Sequence, residues 1–149
     1  MKLRMSHVGI CVSDWKRSLR FYHDVLGFRF VAEEVEEGSA LARRLRVPGA
    51  RVRTGVLERE GVRIELLHFE EPGAVGEGAP RPGNALGLSH LSLRVDDLAA
   101  ALRELTERGV RCLSETEAPI EGDPERPGRA AFLTDPDGTL IELVERPGD

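Results

Sequence analysis

His7, Glu65, His90 and Glu142 combine metal-binding side chains with an unusual setting: each is a polar residue inside an apolar strand pattern. His7 opens His-Val-Gly-Ile-Cys-Val and His90 opens His-Leu-Ser-Leu-Arg-Val. Glu65 lies within Val-Arg-Ile-Glu-Leu-Leu and Glu142 within Thr-Leu-Ile-Glu-Leu-Val. Successive strand side chains alternate faces, so the aliphatic neighbours take one face and the histidine or glutamate the other. A lone ionised carboxylate on such a face is costly to bury. Two imidazoles and two carboxylates meeting at one divalent cation remove that cost together. This donor set suits Zn²⁺, Ni²⁺, Fe²⁺, Co²⁺ or Mn²⁺, and ligand type alone does not select among them. Four protein ligands on an octahedral ion leave two positions for water or substrate, which a catalytic site needs.

The elements that must position these residues come in two copies. One offset of 83 residues relates His7 to His90, Val12 to Val95, Asp14 to Asp97 and Leu19 to Leu102. Each copy reads as strand, acidic cap, amphipathic helix, glycine and further strands. In the first copy, residues 5–12 form a strand, and Ser13 or Asp14 caps a helix whose Leu19, Tyr22 and Leu26 face the core. Gly27 ends that helix. Strands follow at about 28–36, 51–59 and 62–69, with a short helical insertion over residues 39–45. The second copy has a strand at 88–95, a helix over 96–108 and strands at 110–116, 129–134 and 139–145. Asp135-Pro136-Asp137-Gly138 makes a tight turn before the last strand. A linker from Glu70 to Gly87, with five glycines and three prolines, separates module 1 (about 5–69) from module 2 (about 88–146). The chain therefore reads as a single α+β domain, 1–149, of two tandem βαβββ modules. Repetition favours a metal site over structural roles for each residue alone, because four parts match two by two.

Bulk properties narrow the partners. Charged residues make up 32% of the chain and hydrophobic ones 40%, the balance of an ordinary folded protein. A net charge of -5 opposes nucleic-acid binding, which calls for a basic face. No apolar run is long enough to span a bilayer, and the N-terminal residues lack a signal-peptide core, so a cytoplasmic location is expected. Cys11 and Cys112 read as unpaired thiols that act as small buried hydrophobes. Arg53, Arg63, Arg94 and Arg129 are candidates to hold a substrate carboxylate or phosphate, against the commoner role in surface ion pairs. Arg63 and Arg94, on the faces of Glu65 and His90, raise the alternative of an ion-pair network. His68 falls on the strand face opposite Glu65, and His23 lies on an exposed helix face. Residues 118–129 read as a loop at the rim of the site.

Taken together, these motifs resemble the vicinal oxygen chelate superfamily, which includes glyoxalase I. The resemblance runs over nearly the whole chain. It rests on His7-Val-Gly-Ile-Cys-Val-Ser-Asp, Phe21-Tyr22-His23-Asp24-Val25-Leu26-Gly27-Phe28, Ile64-Glu65-Leu66, His90-Leu-Ser-Leu-Arg-Val-Asp-Asp and Asp135-Pro-Asp-Gly-Thr-Leu-Ile-Glu142-Leu. It implies a pair of modules forming an open, cup-shaped mixed-sheet barrel around one divalent metal, with His7, Glu65, His90 and Glu142 as the ligands. It also implies a homodimer acting on a small molecule with neighbouring oxygens, by proton abstraction next to a metal-chelated carbonyl to give an enediolate. Glu142 and Glu65 are the catalytic candidates, Glu142 first. A glyoxalase I-like lyase or isomerase fits all four ligands and the Asp-Pro-Asp-Gly ending. A methylmalonyl-CoA epimerase-like enzyme fits Glu65-Leu-Leu-His68 and the length, although its approach to the last ligand usually differs. An extradiol dioxygenase needs only His7, His90 and Glu142. A metal-free antibiotic-binding protein is the alternative of another class, for which one Trp and one Tyr offer little stacking surface. Residues 38–50 depart from the compact bacterial glyoxalase pattern.

Overall fold

The computed structural model describes residues 1–120 and 128–146. It divides the chain into two compact units, Met1–Glu77 and Gly78–Asp149, with the boundary inside the predicted linker. The βαβββ order is present in each.

In the first unit, β1 (Val8–Val12) leads into α1 (Trp15–Leu19), which runs on as a π-helical stretch, Arg20–Val25. β2 (Arg29–Glu37), α2 (Ser39–Leu45), β3 (Arg51–Arg59) and β4 (Val62–Glu71) complete it. The sheet order is β1-β4-β3-β2, with β1 parallel to β4 and the other pairs antiparallel. Asp14 caps α1, its carboxylate accepting from the Arg17 amide at 2.9 Å. One face of the sheet is closed by the helix: Ile10, Val12, Leu57, Ile64 and Leu66 are buried, as are Phe21 and Tyr22. Trp15 lies directly over Gly55, where a Cβ would fall 2.4 Å from the indole ring. A glycine there lets the ring reach the strand backbone. α2 takes the other face. Leu41, Ala50 and Val52 form a small core joined by Leu45, Val47, Leu67 and Phe69. Strand alternation puts Leu67 and Phe69 on the face of Glu65, so the insertion covers part of the face that carries the candidate ligand.

The second unit repeats the plan with β5 (His90–Arg94), α3 (Leu98–Glu107), β6 (Arg111–Ile120), β7 (Gly128–Thr134) and β8 (Leu140–Glu145). Its sheet order is β5-β8-β7-β6, again with one parallel pair, β5 with β8. Asp97 caps α3 as Asp14 caps α1, accepting from the Ala100 amide at 2.7 Å. Leu98, Ala131, Leu133, Ile141 and Leu143 are buried on the helix side.

Several expectations need correction. β1 begins at Val8, so His7 immediately precedes the ladder instead of lying within it. Ala118–Ile120 belongs to β6 and Gly128–Arg129 to β7; the rest of the expected loop, 121–127, lies outside the described residues. Pro119 is tolerated in β6 because β6 is the edge strand of its sheet. Cys11 is exposed, and Cys112 is only partly covered. The alternation that buries Ile10 and Val12 turns Cys11 to the face of Gly9. No helix among the described residues is long and apolar enough to cross a membrane.

An ion-pair lattice ties β2, β3 and β4 together. Arg51 bridges Glu37 and Glu70, both at 2.8 Å, and Arg53 bridges Glu33 at 2.5 Å and Glu70 at 2.9 Å. Hydrogen bonds from Arg51, then Arg53, hold the Glu70 carboxyl below its usual range. Arg63, then Arg29, does the same for Glu58. A depressed carboxylate contributes stability in full above its unfolded pKa, about 4.3, and loses it as the pH falls through the lower folded value. Urea midpoints should therefore fall as the pH drops below about 4. The Arg51→Gln protein should show a shallower fall, and a difference that shrinks at high salt, because these groups are solvent-screened.

Candidate metal site

The four predicted ligands stand as two matching pairs, one in each unit. In the first, the parallel ladder sets Gly9 opposite Glu65, and His7 lies two residues before Gly9. The His7 Nε2 and Glu65 Oε2 atoms are 3.3 Å apart. In the second, Ser92 stands opposite Glu142, and His90 again lies two residues earlier. Here His90 Nε2 and Glu142 Oε2 are 3.6 Å apart. The same register thus builds both pairs. Each histidine reaches forward across one parallel ladder to a glutamate on the same face.

Each imidazole is also held from behind. Ser6 Oγ lies 3.1 Å from His7 Nδ1, and Ser89 Oγ lies 3.0 Å from His90 Nδ1. These contacts orient the rings so that Nε2 is the imidazole atom that faces the carboxylate. Phe132 meets the His90 ring edge-on at 5.4 Å between centroids. Ser92 donates to Glu142 Oε2 at 2.8 Å. The glutamates are mostly covered, with side-chain exposures of 20% for Glu65 and 23% for Glu142. The histidines are more open, at 38% for His7 and 34% for His90.

Each pair offers the nitrogen and carboxylate donor types that divalent ions take. Nitrogen and carboxylate ligands bind at about 2.0–2.2 Å, so adjacent ligands of one ion stand about 3 Å apart. Both pairs lie slightly beyond that separation. Among the described residues, no group of three or more His, Cys, Asp and Glu side chains is gathered for a metal; the donors come in twos.

The secondary candidates separate cleanly. Arg63 turns to Glu58 at 2.7 Å, not to Glu65. Arg53 is held by Glu33 and Glu70 and lies over the Trp15 ring at 5.8 Å; Arg129 pairs with Glu117. Arg94 also has a partner. Structural ion pairing, the commoner expectation for these arginines, describes the three whose partners are identified. His68 directs Nδ1 to the Val12 carbonyl at 3.3 Å, on the face away from Glu65. The serines were the part that sequence reasoning missed. Ser6-His7 and Ser89-His90 recur at the repeat offset, and that recurrence was the available signal.

The sequence profile of the glyoxalase/bleomycin resistance protein/dioxygenase superfamily matches residues 4–143, through both pairs. The chain belongs to this superfamily. Three relatives are similar along nearly their whole length. YwkD of Bacillus subtilis, itself uncharacterized, is 36% identical over 141 residues, covering 94% of each chain. The lactoylglutathione lyase of Salmonella typhimurium is 32% identical, covering 96% of this chain and 93% of the enzyme. An ethylmalonyl-CoA/methylmalonyl-CoA epimerase of Cereibacter sphaeroides is 30% identical, covering 95% and 97%. A glyoxalase family protein of Bacillus cereus has the same fold, with a TM-score of 0.82 at 24% identity, covering 99% of this chain and 97% of that one. The superfamily includes enzymes, and its fold is the one described above for each unit of this chain.

Proposed function

We propose that the protein is a divalent-metal-dependent, glyoxalase-like lyase or isomerase that moves a proton next to a carbonyl on a small vicinal-oxygen substrate. One observation carries the reading: two His–Glu pairs built at the same ladder register, with their donor atoms 3.3 and 3.6 Å apart. In this proposal His7, Glu65, His90 and Glu142 hold one ion, a pair from each unit, in a homodimeric cytoplasmic enzyme. The ion supplies positive charge beside neighbouring substrate oxygens, lowering by several kcal/mol the cost of the negative charge that proton removal creates. Ser6 and Ser89 orient the His7 and His90 rings with Nε2 toward the glutamates. Glu142 or Glu65 accepts the proton and returns it at the neighbouring carbon, which requires one carboxylate to exchange its place with substrate.

Support for a lyase comes from the similarity to lactoylglutathione lyase; the epimerase similarity favours methylmalonyl-CoA-like substrates as the second reading. The test is a screen of the metal-loaded protein in deuterated water. Substrates are the thiol adduct of methylglyoxal, methylmalonyl-CoA and a catechol. Deuterium entering the product or recovered substrate at the carbon next to the carbonyl, and lost in Glu142→Gln or Glu65→Gln, is the expected result. Oxygen consumption with catechol and no deuterium exchange would instead assign a dioxygenase.

A further inference from the structure

The insertion that carries α2 builds a groove in the first unit, away from the His7–Glu65 pair. Leu41 and Leu45 pack one side of α2 onto Val52, Leu67 and Phe69. The rest of the insertion, with the ends of β2 and β4, borders a groove of about 870 Å³, within the range of about 300–1,000 Å³ that small-molecule sites occupy. Glu71, one of its lining residues, is six residues beyond Glu65 on β4, about 20 Å at a strand rise of about 3.3 Å per residue. Most of the lining surface is apolar, with Ala42, Pro48 and Ala50 contributing to it.

The charges of the groove sort into a neutralised set and an unneutralised one. Arg51 is held by Glu37 and Glu70, both at 2.8 Å. Arg43, Arg46 and Glu71 make no ion pair among the described residues. Two guanidinium groups against one carboxylate leave a single positive charge in excess over an apolar floor. Arg46 also stands where the turn itself asks for no side chain. It ends α2 in the left-handed region, at φ of 58°, a position where glycine is the common residue. Arginine there accepts a backbone cost and adds a guanidinium to the groove. We propose that the α2 insertion forms a binding site for a small organic acid, one carboxylate on an apolar body, with Arg43 and Arg46 holding the carboxylate. A guanidinium presents paired N–H donors that match a carboxylate, and the apolar body leaves water against Ala42 and Pro48. Glu71 opposes binding and sets a preference for one negative charge over two. The site needs no metal and does not rest on the reaction proposed above.

4-Phenylbutyrate and its uncharged amide are the probes, titrated into the metal-free protein and followed by its backbone amide signals in ¹H–¹⁵N NMR spectra. The acid should give saturable shifts centred on Ala42, Gly49 and Ala50, and the amide should bind at least about threefold more weakly. Arg43→Gln and Arg46→Gly should each weaken the acid about threefold or more, in the range that exposed ion pairs supply. Arg46→Gly should at the same time keep or raise the urea midpoint, because glycine suits the left-handed position. Glu71→Gln should tighten the acid about twofold. Arg103→Gln, exposed on α3, should leave its affinity unchanged. Equal affinity for acid and amide, or wild-type affinity in Arg43→Gln and Arg46→Gly, would overturn the proposal. Weaker binding in Glu71→Gln, an equal loss in Arg103→Gln, shifts centred on Gly9 and Glu65, or no saturable shifts in the wild type would overturn it as well.

Discussion

His90→Ala and Glu142→Gln are each expected to lower divalent-metal affinity by more than about a hundredfold, above the range that outer-sphere changes cost. Wild-type protein offered Ni²⁺, Co²⁺ or Zn²⁺ is expected to retain about one ion per chain after gel filtration, an occupancy that follows from pairing four ligands with one ion. Elemental analysis of the three proteins reads this directly. The alanine variant loses the nitrogen donor of the second unit's pair. The glutamine variant keeps the shape of Glu142 and its place opposite Ser92 but loses the charge that balances the cation. Neither change should unfold the chain. His90 is exposed at the first position of β5, and the aliphatic residues that bury β8 are Ile141 and Leu143. Circular dichroism with wild-type shape would confirm that the loss lies in the site. Retention of metal at wild-type affinity by both variants would refute the ligand assignment.

A second large effect is expected far from any donor atom. Gly138→Ala should lower stability by about 3 kcal/mol and the thermal midpoint by about 6–12 °C. Two separate costs meet there. Gly138 has φ of +86°, a conformation that residues with a Cβ rarely adopt, and an added Cβ would lie 2.5 Å from the Ala79 carbonyl carbon. That neighbour is backbone, so no rotamer change relieves the clash. The turn itself resists adjustment: buried Asp135 accepts from the Asp137 amide at 2.9 Å and the Thr139 amide at 2.7 Å. Gly83→Ala is the matched control, since nothing lies within 4 Å of its added Cβ and its backbone is not left-handed. Urea unfolding of both variants reads the difference. Similar midpoints for the two would show that the linker yields to the turn.

The glycine of the Asp-Pro-Asp-Gly turn illustrates how far the sequence could be read. Its turn was legible, because proline and glycine each impose a backbone angle. Its contact with Ala79 was not, because no local pattern reports which distant backbone passes close by. The ligand pairs were legible for the opposite reason. A histidine and a glutamate interrupting aliphatic alternation declare a face, and a duplicated interruption declares a pair. Asp14 was similarly readable as a cap from its place before an amphipathic helix, and it caps α1; its repeat partner Asp97 caps α3, which starts at Leu98 and not at the expected residue 96. The serines were harder. A serine beside a strand histidine is unremarkable by type, and only coordinates show Ser6, Ser89 and Ser92 within hydrogen-bonding distance of ligand side chains. Cys11 failed through a rule of thumb: cysteine is commonly buried, yet strand parity already set it on the face of His7. The extension of β6 was hidden by Pro119, which suits an edge strand but reads as a loop.

The shared register of the two ligand pairs carries an evolutionary consequence. Each pair depends only on its own parallel ladder, so a mutation in one repeat leaves the other repeat's geometry intact. After a gene segment doubles, such a fold can keep one copy conservative while the other drifts. The repeats differ at the residue opposite each glutamate, serine at position 92 and glycine at position 9, while the ladder register that forms each pair is the same in both.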